Sequence, residues 1–188
     1  MIPIALVLIV AVVGVLLVVA LWLMTTYNGL VTIRQAVKNA WAQIDVQLKR
    51  RHDLIPNLVN TVKGYAGHEK ETLERVIAAR AKATSATLPA DVIKAEGELS
   101  TALARLLAVS EAYPELKANQ NFLSLQEELT STENRVAYAR QFYNDNVTKL
   151  NTRIQTFPTV VVAGMFGFKE EPFFEAPTEA KEAPKVQF

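Results

Sequence analysis

Residues able to do chemistry are few in this chain and poorly grouped. There are two histidines and no cysteine, which excludes thiolate nucleophiles, disulfides, Fe–S clusters and cysteine zinc sites but says nothing about redox compartment. His68-Glu69 is followed by Lys70-Glu71-Thr72, so the HExxH pattern fails. A carboxylate-bridged metal site in a helical bundle needs Glu three residues before His. Lys49 and Tyr65 hold those positions before His52 and His68. Neither GxGxxG nor GxxxxGK[ST] occurs, so no phosphate-cradling loop is encoded. Ser85, Ser100, Ser110, Ser124 and Ser131 lie in ordinary helical or loop contexts, without the arrangement a hydrolytic triad requires. The expectation is a chain without catalytic residues, cofactor or metal.

Charged and polar groups have a structural reading instead. Residues 25–90 carry ten basic and five acidic side chains, residues 91–157 seven and nine, and residues 158–188 three and five. That balance is not the footprint of a nucleic-acid binder. Within the basic run Lys49-Arg50-Arg51-His52, Arg50 and Arg51 are expected to pair with Glu133, and with Glu128, on a returning helix. Contact with lipid headgroups is the other reading. The run lies about 25 residues past the apolar segment described below, roughly 37 Å along a helix, which is several Debye lengths of about 8 Å. Asp45, Asn57, Asn60, Asn134, Asn144 and Asn151 are poor helix formers that either fix register across a seam or face solvent. With Arg140, the residues Asp45, Arg50, Arg51 and Glu133 are the polar candidates for the bundle.

The elements that must position these groups begin with a greasy segment. From Ile2 to Met24 there are 23 residues without a charge; as a helix they rise roughly 34 Å, enough for a hydrocarbon core of about 30 Å. Ile4, Leu8, Val12, Leu16, Val19 and Leu23 are expected to face lipid, with Trp22 at the interface. Val18-Val19-Ala20 offers a signal-peptidase reading, but no basic n-region precedes the run, which is longer than an h-region of about 7–15 residues. A lipidated anchor would need a cysteine. Arg34 and Lys38 follow closely, predicting a short external N-terminus and a cytoplasmic C-terminal domain.

Beyond the span the pattern is helical. Apolar or small residues recur at three- and four-residue steps from Phe122 through Leu129, Val136, Tyr143, Val147, Leu150 and Ile154, and a second seam runs from Leu30 through Trp41 and Ile44 to Tyr65. Pro56 lies inside that seam and predicts a kink, or a fresh start capped by Asp53. Two shorter helices, 68–87 and 91–112, lie between, and no period-two run makes a sheet. The predicted fold is all-α: an N-terminal transmembrane helix, then an elongated antiparallel bundle with two long outer and two short inner helices. The expected segments are an anchor at 1–26, a bundle at 27–158, an apolar and aromatic docking segment at 159–175 and a disordered tail at 176–188.

The inner hairpin covers only part of the long pair. Trp41, Ile44, Val147, Leu150 and Ile154 are therefore predicted to sit in a two-helix stretch that cannot bury its own apolar stripes, making them contacts for further copies or other proteins. The alternative is that the chain after Pro158 folds back over them. In the segment Thr159-Val160-Val161-Val162-Ala163-Gly164-Met165-Phe166-Gly167-Phe168, and at Phe173-Phe174, three fates are open: docking on a neighbouring copy, dipping into the interface, or adding an extended strand to a partner. The first is favoured, through Phe166, Phe168, Phe173 and Phe174.

Several stretches resemble the LemA family: Tyr27-Asn28-Gly29-Leu30, residues 41–67, His68-Glu69, Tyr113-Pro114-Glu115-Leu116-Lys117-Ala118, residues 125–143 with Glu133 and Arg140, Phe157-Pro158, Gly167-Phe168 and Phe173-Phe174. The resemblance runs to about residue 175. It implies a bacterial protein with one N-terminal membrane helix, a short external N-terminus and a helical bundle, often encoded near membrane proteases and TPM-domain proteins, and it carries no catalytic residues across. The expected function is a non-enzymatic, self-associating scaffold at the cytoplasmic face. The alternative is an adaptor or accessory subunit of a membrane protease. Expected partners are the bilayer through residues 2–24, further copies of the chain and another membrane protein, but no nucleic acid.

Overall fold

The structure, a computed structural model, describes residues 3–174; the expected disordered tail lies outside them. Among the described residues all regular structure is helical: α1 Ile4–Tyr65, α2 Lys70–Ser85, α3 Pro89–Ser110, α4 Pro114–Lys117, α5 Gln120–Gln155 and α6 Thr159–Met165. α1 carries the chain from the apolar segment into the bundle and passes through Pro56 without a break. Its first part is long and apolar enough to cross a membrane, and among the described residues nothing buries it. The chain is thus membrane-anchored through an N-terminal apolar helix.

Local chemistry explains the other boundaries. α3 opens with Pro89 in its first turn and Asp91 beside it, where a missing N–H is harmless and an acidic group favours the helix dipole. α5 opens on a side-chain cap: the Phe122 N–H donates to Asn119 Oδ1 at 3.0 Å, while Asn119 Nδ2 donates to the Tyr65 hydroxyl at 2.9 Å. Pro114 starts the single turn α4, whose Leu116 is fully buried.

The chain divides into two compact units. One comprises residues 41–141 with Phe174. In it, residues 41–65 of α1, the α2–α3 hairpin, α4 and the first part of α5 enclose a core of Ile55, Leu58, Val62, Val76, Leu99, Leu106, Leu116 and Phe122. The other comprises residues up to Ala40 with residues 142–173, and here α6 and the irregular segment after it pack on α1 and α5.

This packing corrects the predicted exposed seam. In the first-named unit Ile44 is 0% exposed and Trp41 half-buried; in the other, Val147, Leu150 and Ile154 are 0%, 1% and 7% exposed. They are covered within one chain, so their apolar area is not an argument for contacts between copies. The segment after Pro158 packs on both long helices of its own unit, through Tyr27 of α1 and Asn151 of α5. It folds as a short helix, not an extended strand, because Thr159, Val162 and Ala163 fall at helical spacing and are buried together. Gly167, at φ 67°, then takes the left-handed conformation that lets residues 168–174 turn back.

Candidate functional site

Two constellations of polar and aromatic residues stand out, one in each unit. In the bundle, Glu96 of α3 is 0% exposed and carries a charge that burial would make costly if unpaired. Arg51 Nη1 donates to Glu96 Oε2 at 3.0 Å, and His52 Nε2, facing the other carboxylate oxygen, lies 2.6 Å from Oε1. Arg51 Nη2 donates to Ser100 Oγ at 2.9 Å and sits 2.9 Å from Glu133 Oε2 of α5. Arg51 is itself buried, so one guanidinium ties α1 to α3 and α5.

The second helix of the hairpin joins through the backbone. A proline has no N–H, so Pro56 leaves the carbonyl four residues earlier, that of His52, without its helical partner. Arg80 Nε of α2 donates to that oxygen at 2.8 Å. The proline expected to disturb α1 thus frees an acceptor that docks α2, and four helices meet at Arg51-His52.

Chemically the cluster is saturated by its own members. Ser100 accepts its hydrogen bond from Arg51 and makes none with His52, so no Ser–His–carboxylate relay is assembled. Among the described residues no three His, Asp or Glu side chains gather as metal donors. An opening of about 270 Å³ beside the cluster is walled by Leu103, Leu107 and Leu129 with Arg51 and Glu133 at its side.

The polar candidates fall in different places. Arg50 is exposed and pairs with Glu128 at 2.7 Å, a surface bridge worth at most about 1 kcal/mol. Arg51 and Glu133 are paired as described. Asp45 is exposed on the helix surface. Arg140 is half-buried; burial pulls its guanidinium below the usual value, Glu133 opposes that, and it remains charged. The residues that sequence reasoning missed are Glu96, His52, Ser100 and Arg80. Glu96 had a signal in hindsight, since it shares the buried face of α3 with Val92, Leu99 and Leu103.

The second constellation seats the C-terminal segment. Asn151 of α5 pairs with one residue's backbone in both directions: its Nδ2 donates to the Glu171 carbonyl at 2.9 Å and its Oδ1 accepts from the Glu171 N–H at 3.0 Å. The Tyr143 hydroxyl donates to the Pro172 carbonyl at 2.9 Å; burial, and then the Glu171 carboxylate, raise its pKa. Gln155 Nε2 reaches Glu170 Oε1 at 2.8 Å. Tyr27 meets the rings of Phe166 and Phe168 at 4.7 and 5.9 Å, and the Arg34 guanidinium lies 4.8 Å from the Phe168 centroid.

In the bundle unit, Phe174 is buried against Trp41 and lies under Arg140, 4.5 Å from its guanidinium carbon. Of the four phenylalanines expected to dock on a neighbouring copy, Phe168 and Phe174 are therefore seated on their own chain. Phe166 combines an intrachain ring contact with an exposed face, and Phe173 is exposed.

Known proteins share this sequence over most of its length. The chain is 25% identical to "Protein LemA" of Metamycoplasma hominis over 150 residues, covering 79% of this chain and 68% of that one. It is 25% identical to "Magnetosome protein MamQ 2" of Paramagnetospirillum magneticum over 179 residues, covering 81% and 66%. It is 23% identical to "Magnetosome protein MamQ" of Magnetospirillum gryphiswaldense over 178 residues, covering 81% and 65%. The chain thus spans about two thirds of the length of these relatives. The sequence profile of the LemA family matches residues 40–188. The chain, matched over well more than half of its length, belongs to the LemA family.

Proposed function

We propose that the protein is a non-enzymatic, membrane-anchored scaffold whose helical bundle stands at the cytoplasmic face of the bacterial cell membrane and presents its outer surface to further copies or to another membrane protein. The observation that carries this reading is α1, one helix that begins as an apolar span and ends as a bundle element. A catalytic site needs groups left free to act on a substrate. The ionisable groups that cluster in the bundle are spent on one another, which supports a structural role for them. Arg34 and Lys38 beside the span favour the cytoplasmic side. Contacts with partners form through exposed side chains such as Val46, Ile77 and Tyr138 of the bundle, since the seam is occupied.

Native mass of the full-length protein, extracted gently from membrane, tests the reading. An assembly at a multiple of the 20.8 kDa chain mass, or in fixed stoichiometry with one membrane protein, is the expected result. A lone chain at every concentration overturns it.

A further inference from the structure

We propose that α6 is a second membrane contact: its outward face lies in the bilayer interface, and Lys149 and Arg153 hold an anionic phospholipid headgroup in the groove beside it. This rests on the anchoring of the chain by α1. α6 buries Thr159, Val162 and Ala163 against its own unit. Its other face is apolar and open: Val160, Val161, Met165 and Phe166 are 41%, 52%, 67% and 53% exposed, and Phe157 just before it is 80% exposed. Residues 154–168 contain no Asp, Glu, Lys or Arg. A continuous apolar surface of this kind marks a contact.

The level of α6 along α1 identifies what covers it. The start of α6 shares a groove with Trp22 and Thr26, and at its end Phe166 meets Tyr27. Trp22 and Tyr27 are separated by roughly 8 Å along the helix, and they bracket Met24, where the apolar run stops. That is the depth at which Trp and Tyr settle among headgroups. Both ends of α6 meet α1 at the membrane surface, so the short helix runs along the interface, and lipid covers its open face.

The groove completes the site. It has a volume of about 610 Å³, with Trp22, Ile33 and Phe157 as apolar walls. Lys149 and Arg153 line it, and neither forms an ion pair with a carboxylate among the described residues. Two cations beside apolar walls at headgroup depth match a phosphodiester with its acyl chains.

The cysteine-free chain allows single nitroxide labels in the full-length protein in lipid nanodiscs. Labels at Val161 and Met165 are compared with Val12 in the span and Tyr138 on the bundle, using oxygen and a water-soluble nickel chelate as collision partners. The expected result is that Val161 and Met165 follow Val12, accessible to oxygen and shielded from nickel. If they follow Tyr138 while Val12 reads as lipid-exposed, this proposal fails and the anchor stands. If Val12 itself is open to nickel, the anchor reading fails and takes the proposal with it. Shielding from both partners, with spin–spin broadening from a second copy or without it against another protein, also overturns it.

Headgroup binding is read by native mass spectrometry of protein released from phosphatidylglycerol and phosphatidylcholine discs. Retention of phosphatidylglycerol is expected to fall by about an order of magnitude in the Lys149→Gln/Arg153→Gln variant and to be unchanged in Arg135→Gln, an exposed bundle arginine. Equal retention of the two lipids, an unaffected double variant, or displacement by inorganic phosphate overturns it.

Discussion

At the scale of single residues, the account turns on one backbone oxygen and one carboxylate. Arg80 donates to a His52 carbonyl that Pro56 leaves without a helical donor. Arg80→Ala should therefore cost about 1–3 kcal/mol. In a Pro56→Ala background, where residue 56 regains its N–H, the same substitution should cost clearly less. Urea denaturation of the detergent-solubilised chain, followed by helical circular dichroism, gives the cycle; equal costs in both backgrounds contradict the assignment. Removing Glu96 as Glu96→Leu leaves the buried Arg51 with only the half-exposed Glu133 as a carboxylate partner and should cost about 3 kcal/mol, the low end of breaking a buried pair. The Arg51→Met/Glu96→Leu pair should recover most of that loss in the same assay. The Arg51–Glu133 pairing was legible in the sequence, because the return of a long amphipathic helix brings those positions opposite each other. The links to Glu96 and Arg80 were not, because the rotation of a short inner helix is set by packing and not by its own periodicity.

At the scale of elements, the long helices and the hairpin were readable from three- and four-residue apolar steps, and α5 starts where Asn119 caps it. The role of the segment after Pro158 was not. An uncharged ten-residue stretch with a β-branched run looks like a strand or a docking peptide, and nothing local says that Asn151 will supply both a donor and an acceptor to Glu171. Counting only helices therefore left Val147, Leu150 and Ile154 exposed, whereas the chain covers them itself. Asn151→Leu removes both hydrogen bonds and should lower the opening free energy of residues 168–173 by about 2 kcal/mol, seen as roughly thirtyfold faster hydrogen exchange at the Glu171 amide. Tyr143→Phe, which loses one bond to Pro172, should have a smaller effect in the same direction. Unchanged exchange in Asn151→Leu would mean that the aromatic contacts alone hold the segment.

At the scale of the whole molecule, the span was the plainest feature of the sequence: 23 residues without a charge admit few other fates. The mutual pairing of the buried cluster became visible only with the helices in place. The central claim is that a single apolar helix tethers a cytoplasmic bundle. It is tested most directly by placing one cysteine at Tyr138, 74% exposed on the bundle, in a chain that otherwise has none. In spheroplasts, a membrane-impermeant maleimide should leave that cysteine unlabelled until the membrane is opened, and the protein should stay in the membrane pellet after an alkaline carbonate wash. Labelling in intact spheroplasts, or release into the carbonate supernatant, would contradict the account.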